Sequence, residues 1–195
     1  MRGGVINGVP LSLTALRALL APVIVALALL DPDPRAFGVS LALGFLSDVF
    51  DGILARKLGI ATPVLRRLDS GADTLFYMAA TFAAWHLYPQ VILEHYRAVL
   101  LLGALELGRY GFDLVKFGRE TSYHMWSSKV WGIVLFAAFS GILVFGYTGA
   151  WVALPLYIGI LADVEGLAIS FMLAEWKSDV PSFLHAFKSR VAARS

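Results

Sequence analysis

The 195-residue sequence has no cysteine and few charged residues. Without cysteine the chain cannot form a disulfide, a thiolate-bound zinc or iron–sulfur site, or a cysteine nucleophile, and the redox state of its compartment stays undetermined. Charged residues make up only 15% and hydrophobic residues 58%, which excludes a disordered chain and a water-soluble enzyme. The 16 basic residues occur in short groups between apolar stretches, not in a stripe that would bind nucleic acid. This composition indicates a membrane protein without a nucleic-acid partner.

Six stretches of the chain are long and apolar enough to cross a membrane, which takes about 20 residues of helix. They lie near residues 11–30, 36–57, 69–88, 93–117, 124–147 and 150–175. The first is too long for the apolar part of a signal peptide, and Asp31-Pro32-Asp33-Pro34 after it is typical of a turn. We therefore expect an all-α integral membrane protein, a six-transmembrane-helix bundle that forms a single domain over residues 1–195.

Basic residues are distributed unequally between the two ends of this predicted bundle. Most lie on the side of the amino terminus, whereas Arg35 and Arg97 lie opposite and Arg109 falls inside the fourth span. The positive-inside rule then places both termini on the cytoplasmic side. After the sixth span, Asp179 could cap a helix with one apolar face, formed by Val180, Phe183, Leu184, Phe187 and Val191. We expect this C-terminal amphipathic tail to lie along the membrane surface, with a frayed terminus as the alternative.

Four aspartates lie where the second and third spans meet the cytoplasm. Asp48 and Asp51 are three residues apart and share a helix face, as do Asp69 and Asp73, which follow a predicted loop over residues 56–68. Charges within spans are costly and usually functional, and four converging carboxylates repel one another unless cations neutralise them. Oxygen ligands favour magnesium, manganese or calcium, and paired divalent ions are typical of enzymes that displace a group at phosphorus.

Small residues and an arginine continue the face of the first aspartate pair. Gly52 and Ala55 would let a phosphate approach the helix backbone, and Arg56 could hold phosphate oxygens in a bidentate contact. The alternative is structural, because small residues also allow close helix packing and the aspartates could pair with neighbouring arginines.

The stretch from Asp48 to Arg56, followed by Asp69 and Asp73, resembles the signature of the CDP-alcohol phosphotransferases, D-x-x-D-G-x-x-A-R-x₈-G-x₃-D-x₃-D. One element differs, because Leu65 stands where the signature has its second glycine, and it would reshape the part of the pocket that accepts the nucleotide. Pro10–Arg17 is similar to the family's opening segment P-N-x-L-T-x-x-R, with leucine in place of asparagine.

The resemblance implies a phospholipid-biosynthetic enzyme that transfers a phosphatidyl or similar lipid phosphate group from a CDP-linked lipid alcohol to an acceptor alcohol and releases CMP. It implies a two-metal site of Mg²⁺ or Mn²⁺ held by Asp48, Asp51, Asp69 and Asp73, with Asp73 also the general base. It further implies that Gly52, Ala55 and Arg56 bind the nucleotide diphosphate. Homodimers are common in the resembled family, so a homodimer is one expected assembly.

A second group of polar residues lies in the fourth and fifth spans. Glu106, Arg109 and Asp113 share a face of the fourth span, and Ser128 and Lys129 begin the fifth. In enzymes of the resembled family this region helps to hold the acceptor, so the resemblance implies that Arg109, Ser128 and Lys129 contact the acceptor alcohol. The alternative is an ion-pair ladder of Glu106, Arg109 and Asp113 within one helix.

The nature of the acceptor is the least determined property. Glycerol-phosphate-type relatives commonly carry a lysine directly after the glycine that follows the serine–lysine element, whereas here Ile133 follows Gly132. Fewer cations would hold a phosphate less favourably, so we expect a neutral or zwitterionic alcohol. The sequence assigns no role to Asp163 and Glu165 in the sixth span, and it does not identify the donor lipid.

Two other classes of membrane protein use aspartates in helical bundles. A magnesium-dependent prenyltransferase would show two aspartate clusters on separate hairpins of a longer bundle. A divalent-cation transporter would place its acids near the membrane midplane, with broken helices and an internal repeat. Here the aspartates cluster near one end of the spans and no repeat appears, which favours the phosphotransferase and leaves both alternatives open.

Overall fold

The computed structural model describes residues 2–58, 63–121, 123, 125–177 and 180–192, and this part of the chain is helical, without a strand. The α-helices are α1 (Arg2–Leu30), α2 (Pro34–Leu58), α3 (Pro63–Leu87), α4 (Pro89–Glu94), α5 (Tyr96–Phe117), α6 (Trp126–Leu143), α7 (Leu154–Met172) and α8 (Phe183–Ala192). A short 3₁₀ helix, Ala150–Ala153, precedes α7. The all-α class expected from the sequence is confirmed.

Helices α1, α2 and α3 pack together in the first of two compact units, which consists of Met1–Val91 and Phe139–Thr148. Its core contains the fully buried Ala80 and Ala84 of α3 and Ile24 of α1. Small side chains let helices approach closely, as is usual in membrane bundles. At Gly44 of α2, an added Cβ atom would overlap the buried ring of Phe76 from α3. This contact fixes α2 against α3 one turn away from the aspartates.

Helices α5, α7 and α8 belong to the second unit, Ile92–Ala138 and Gly149–Ser195. Its buried cluster joins the α5–α6 connection to the end of α7 and to α8, and it consists of Tyr123, Met125, Ile169, Leu173, Val180 and Ala186. Lys116 Nζ donates hydrogen bonds to the backbone carbonyls of Ser170 (2.7 Å) and Phe171 (3.3 Å). These carbonyls lie in the last turn of α7, where no intrahelical donor is available. The single domain over residues 1–195 stays a prediction.

Four stretches of the described chain are long and apolar enough to cross a membrane: Pro10–Leu30, Pro34–Leu54, Trp126–Leu143 and Ala150–Met172. They correspond to the first, second, fifth and sixth predicted spans and support a membrane protein. The third and fourth predicted spans are present as α3, with 25 residues, and α5, with 22. Charged residues make both less apolar, so the crossing of all six helices stays a prediction.

Several predicted boundaries differ from the structure. The predicted loop over residues 56–68 is largely wrong, because α2 continues to Leu58 and α3 already begins at Pro63. Proline suits the first turn of a helix, where its fixed φ angle is favourable and its missing N–H would have no partner. The predicted fourth span, residues 93–117, begins in the last two residues of the short α4 and is interrupted at His95, after which α5 begins.

The C-terminal segment contains the helix α8 (Phe183–Ala192), and its role as an amphipathic tail stays a prediction. Ala186 is buried in the cluster of the second unit, whereas Leu184 is 67% exposed and Phe187 50% exposed. Asp179, the predicted cap, and the side chain of Val191 lie outside the described residues. The location of this helix on a membrane surface stays a prediction.

Candidate active site

Helices α2 and α3 bring three carboxylates together in the first unit. Asp48 and Asp51 of α2 and Asp69 of α3 each offer an oxygen, and these oxygens all lie within 4.8 Å of one another. The side chain of Asp51 is 5% exposed, that of Asp69 is 30% exposed and that of Asp48 is 44% exposed. An all-oxygen donor set of this size fits a hard divalent cation such as Mg²⁺ or Mn²⁺. These three residues could therefore hold a metal.

Arg17 of α1 lies among the aspartates, with its side chain only 1% exposed. Its Nη1 is 3.4 Å from Asp48 Oδ1 and 3.1 Å from Asp69 Oδ1, and its Nη2 is 2.5 Å from Asp51 Oδ2. Nη1 also donates a hydrogen bond to Asp73. The guanidinium therefore connects Asp73 to the other three aspartates. Among the described side chains, the Arg17 guanidinium contacts all four carboxylates, and a divalent cation would further reduce the repulsion between them.

Polar groups of α1 and α2 hold this guanidinium in place. Arg17 Nε donates to Ser47 Oγ over 3.4 Å, and Ser47 Oγ donates to the carbonyl oxygen of Gly44 over 2.7 Å. Thr14 Oγ1 lies 3.5 Å from Asp51 Oδ2. The sequence did not predict Arg17 as a residue of this site. The available signals were a charge inside an otherwise apolar span and its place in the segment that resembles the family's opening.

The structure describes the predicted phosphate-binding residues only in part. Gly52 is half-buried directly after Asp51 on α2. The side chains of Ala55 and Arg56 lie outside the described residues. Leu65 is half-buried in the first turn of α3. The roles of Gly52, Ala55 and Arg56 stay predictions.

The predicted acceptor-binding residues belong to the second unit. Arg109 Nε of α5 is 3.3 Å from Asp163 Oδ1 of α7. Lys129 is exposed, with its Nζ 4.3 Å from the centroid of the Trp126 ring, and Ser128 is half-buried. In the described part of the chain no hydrogen bond or ion pair links Arg109, Ser128 and Lys129 to one another.

Asp113 of α5 takes part in a hydrogen-bond network with residues outside α5. The alternative considered from the sequence was an ion-pair ladder of Glu106, Arg109 and Asp113 within α5. Its Oδ1 accepts from Ser170 Oγ over 2.6 Å, and its Oδ2 accepts from Thr121 Oγ1. Tyr123 Oη lies 2.8 Å from Ser170 Oγ, and because the serine hydrogen is directed to Asp113, the tyrosine is the donor. Burial raises the pKa of Tyr123, which keeps this donor protonated. The network fastens the α5–α6 connection to α7.

The two acids of α7 left without a role by the sequence have different surroundings. Glu165 Oε2 accepts from Ser127 Oγ over 2.6 Å, and its Oε1 accepts the backbone N–H of Phe183 over 3.0 Å. Glu165 therefore connects α7 to the starts of α6 and α8. Asp163 pairs with Arg109 through Oδ1. Within the described part of the chain, its buried Oδ2 has no hydrogen-bond partner, and neither does the buried Nε1 of Trp131.

Comparison with known proteins gives one positive result. The family model CDP-alcohol phosphatidyltransferase matches residues 7–173, a stretch that includes Arg17, the four aspartates and Asp163. Neither the curated proteins nor the solved structures give a match. The family match supports neither a prenyltransferase nor a cation transporter. Since it covers most of the sequence and includes the carboxylate cluster of α2 and α3, the chain belongs to the CDP-alcohol phosphatidyltransferase family.

Proposed function

We propose that this protein is a phospholipid-biosynthetic transferase that moves a phosphatidyl or similar lipid phosphate group from a CDP-linked lipid alcohol to an acceptor alcohol. Its family implies phosphatidyl transfer from a CDP-alcohol. The observation that carries the proposal is the approach of the Asp48, Asp51 and Asp69 oxygens to within 4.8 Å of one another. Such a cluster is unfavourable in an apolar helical bundle unless it binds cations, and cations are what a diphosphate donor requires.

In the proposed reaction the acceptor oxygen forms a bond to the phosphorus of the lipid-linked phosphate. The bond from that phosphorus to the oxygen bridging it to CMP breaks, and CMP leaves with the electron pair. The acceptor proton goes to Asp73, our candidate general base. Asp73 supports this role because it lies one turn after Asp69, outside the group of three carboxylates, with its side chain 32% exposed.

We further propose that Asp48, Asp51 and Asp69 hold Mg²⁺ or Mn²⁺ and that Asp73 completes a two-metal site. When bound there, the ions would neutralise the donor diphosphate and the departing CMP. Arg17 offsets part of the repulsion between the acids and so keeps them close together. Three residues of α2 are the proposed diphosphate contacts, Gly52, Ala55 and Arg56. The proposed contacts of the acceptor alcohol are Arg109, Ser128 and Lys129.

The proposal includes six membrane-crossing helices in a single domain, with the aspartates and both termini on the cytoplasmic side. Large apolar side chains on the two less apolar helices support it: Met78 of α3 is 65% exposed, and Leu107 and Val115 of α5 are 75% and 90% exposed. Lipid would cover these side chains, whereas water-soluble proteins rarely expose large apolar patches. A homodimer is the assembly we expect, and the mass of the protein in detergent tests it.

The test is CMP release by the purified protein from CDP-diacylglycerol with Mg²⁺ or Mn²⁺ and a panel of alcohols: glycerol, inositol, serine, choline, glycerol 3-phosphate and inositol phosphate. We expect CMP release with at least one of them. Asp51→Asn should lower the rate by at least about 100-fold, because the site loses its most buried ligand. Asp31→Asn is the matched control, since Asp31 is exposed between α1 and α2, and it should keep the wild-type rate. Equal rates in the two variants would contradict the proposal.

A further inference from the structure

One face of α7 is shaped around two side chains from neighbouring helices of the second unit. Gly159, Asp163 and Gly166 lie at successive turns of this face. A Cβ atom at Gly159 would lie 2.8 Å from Trp131 Nε1, and one at Gly166 would lie 2.9 Å from Arg109 Cδ. At Gly159 a Cβ atom would overlap the rigid indole ring, and at Gly166 it would require the Arg109 side chain to shift. The two glycines thus allow Trp131 and Arg109 to pack on either side of the Asp163 position.

The charge of Arg109 is offset within this arrangement. Its Nε lies 3.3 Å from Asp163 Oδ1, and the exposed fractions of the side chains are 25% for Arg109 and 3% for Asp163. The aspartate is thus buried below a guanidinium that ligands can reach. A phosphate that approached Arg109 would also meet the negative charge of Asp163, which is poorly screened inside the protein. The pair therefore disfavours an acceptor that carries a phosphate.

Two buried polar atoms beside this ion pair make no hydrogen bond to the residues that the structure describes. Among these described residues, no donor reaches the buried acceptor Asp163 Oδ2 and no acceptor reaches the buried donor Trp131 Nε1. More than about 90% of buried polar groups are hydrogen-bonded in folded proteins, so each of these atoms needs a partner. A hydroxyl group can supply both functions, because its hydrogen can go to a carboxylate and its oxygen can accept from an N–H.

We propose that Asp163 is the specificity-determining residue of the acceptor site and selects an alcohol without a phosphate group. It does so by neutralising Arg109 and by accepting a hydrogen bond at Oδ2 from a hydroxyl of that alcohol. This inference rests on the proposed function, because it takes Arg109 as an acceptor-binding residue.

The experiment compares matched acceptors, glycerol with glycerol 3-phosphate and inositol with inositol phosphate, using CDP-diacylglycerol, Mn²⁺ and the full chain. Wild-type protein should show a higher kcat/KM for the unphosphorylated member of each pair. Asp163→Asn keeps the size of the side chain and leaves the charge of Arg109 unpaired. It should shift the kcat/KM ratio toward the phosphorylated member by about tenfold or more, chiefly through KM. Glu175→Gln is the control, because it removes an exposed acid that follows α7 and should leave the ratio within about twofold.

A binding measurement separates this inference from the proposed function. Calorimetry with glycerol 3-phosphate needs no turnover, and Asp163→Asn should bind it about tenfold more tightly than wild type does. CMP release that prefers phosphorylated acceptors, or an unchanged ratio in Asp163→Asn, would overturn the inference and leave the proposed function intact. Absence of CMP release with every acceptor would overturn the proposed function, and equal calorimetric affinities would then overturn the inference as well. If Asp163→Asn does not fold, Asp163→Ser, which also removes the charge and has a smaller side chain, replaces it in both measurements with the same expected shifts. A wild-type preference for the phosphorylated acceptors overturns the inference without any variant.

Discussion

Replacement of Arg17 by glutamine removes a guanidinium that touches all four aspartates. Arg17 is 1% exposed, and its shortest contact with the buried Asp51 measures 2.5 Å. Loss of one partner from a buried ion pair destabilises a protein by roughly 3–5 kcal/mol, because the remaining charge stays buried without compensation. Asp48 is 44% exposed and contributes less to this loss. We therefore expect Arg17→Gln to lower the free energy of unfolding by about 3–5 kcal/mol when a chelator is present.

Divalent cations should reverse much of this loss, because they neutralise the same carboxylates. A ligand at 100 times its Kd stabilises the folded state by about 2.7 kcal/mol, and without Arg17 the more negative cluster should bind Mn²⁺ more tightly. The assay is unfolding of the purified protein in detergent, with chelator and with excess Mn²⁺. Arg97→Gln, an exposed arginine of α5, is the control and should change the free energy of unfolding by less than about 0.5 kcal/mol. A loss of equal size in chelator and in Mn²⁺ would refute the reasoning.

Three further changes test other parts of the account. Gly44→Ala forces the Phe76 ring to move and should destabilise the protein by about 1–3 kcal/mol, whereas Gly103→Ala, with open space around it, should be neutral or slightly stabilising in the same unfolding assay. Asp73→Asn should retain CDP-lipid binding but lose transfer by about 100-fold or more, and equal loss of both would assign Asp73 to metal retention. Leu65→Gly should be tolerated and tighten CDP binding, measured by calorimetry, while a failure to fold would show that Leu65 is a packing element.

Helical spacing predicted which acids could meet. Asp48 and Asp51 share a face because they are three residues apart, and the second and third spans were expected to end on the same side. The structure brings the oxygens of these two residues close to Asp69 and joins Asp73 through Arg17. Local periodicity is sufficient for this result, because all four acids lie on two consecutive helices.

Contacts between helices distant in sequence were not predictable in the same way. Arg17 and Asp73 are 56 residues apart. The spacing of residues along one helix does not indicate which side chain of a distant helix will contact them. For the same reason the sequence left the partner of Asp163 open, and the structure identifies it as Arg109. The start of α3 differs for a local reason, since the predicted loop over residues 56–68 includes Pro63, and proline is favourable in a first helical turn.

The central claim is that the carboxylates of α2 and α3 form a divalent-metal centre for transfer from a CDP-linked lipid. Its most direct test is the rate of CMP release from CDP-diacylglycerol in one sample of wild-type protein, measured before chelation, after chelation and after Mn²⁺ is returned. The account predicts loss of CMP release on chelation and its recovery with Mn²⁺, with no recovery in Asp51→Asn. CMP release at the full rate in the chelated sample would contradict it.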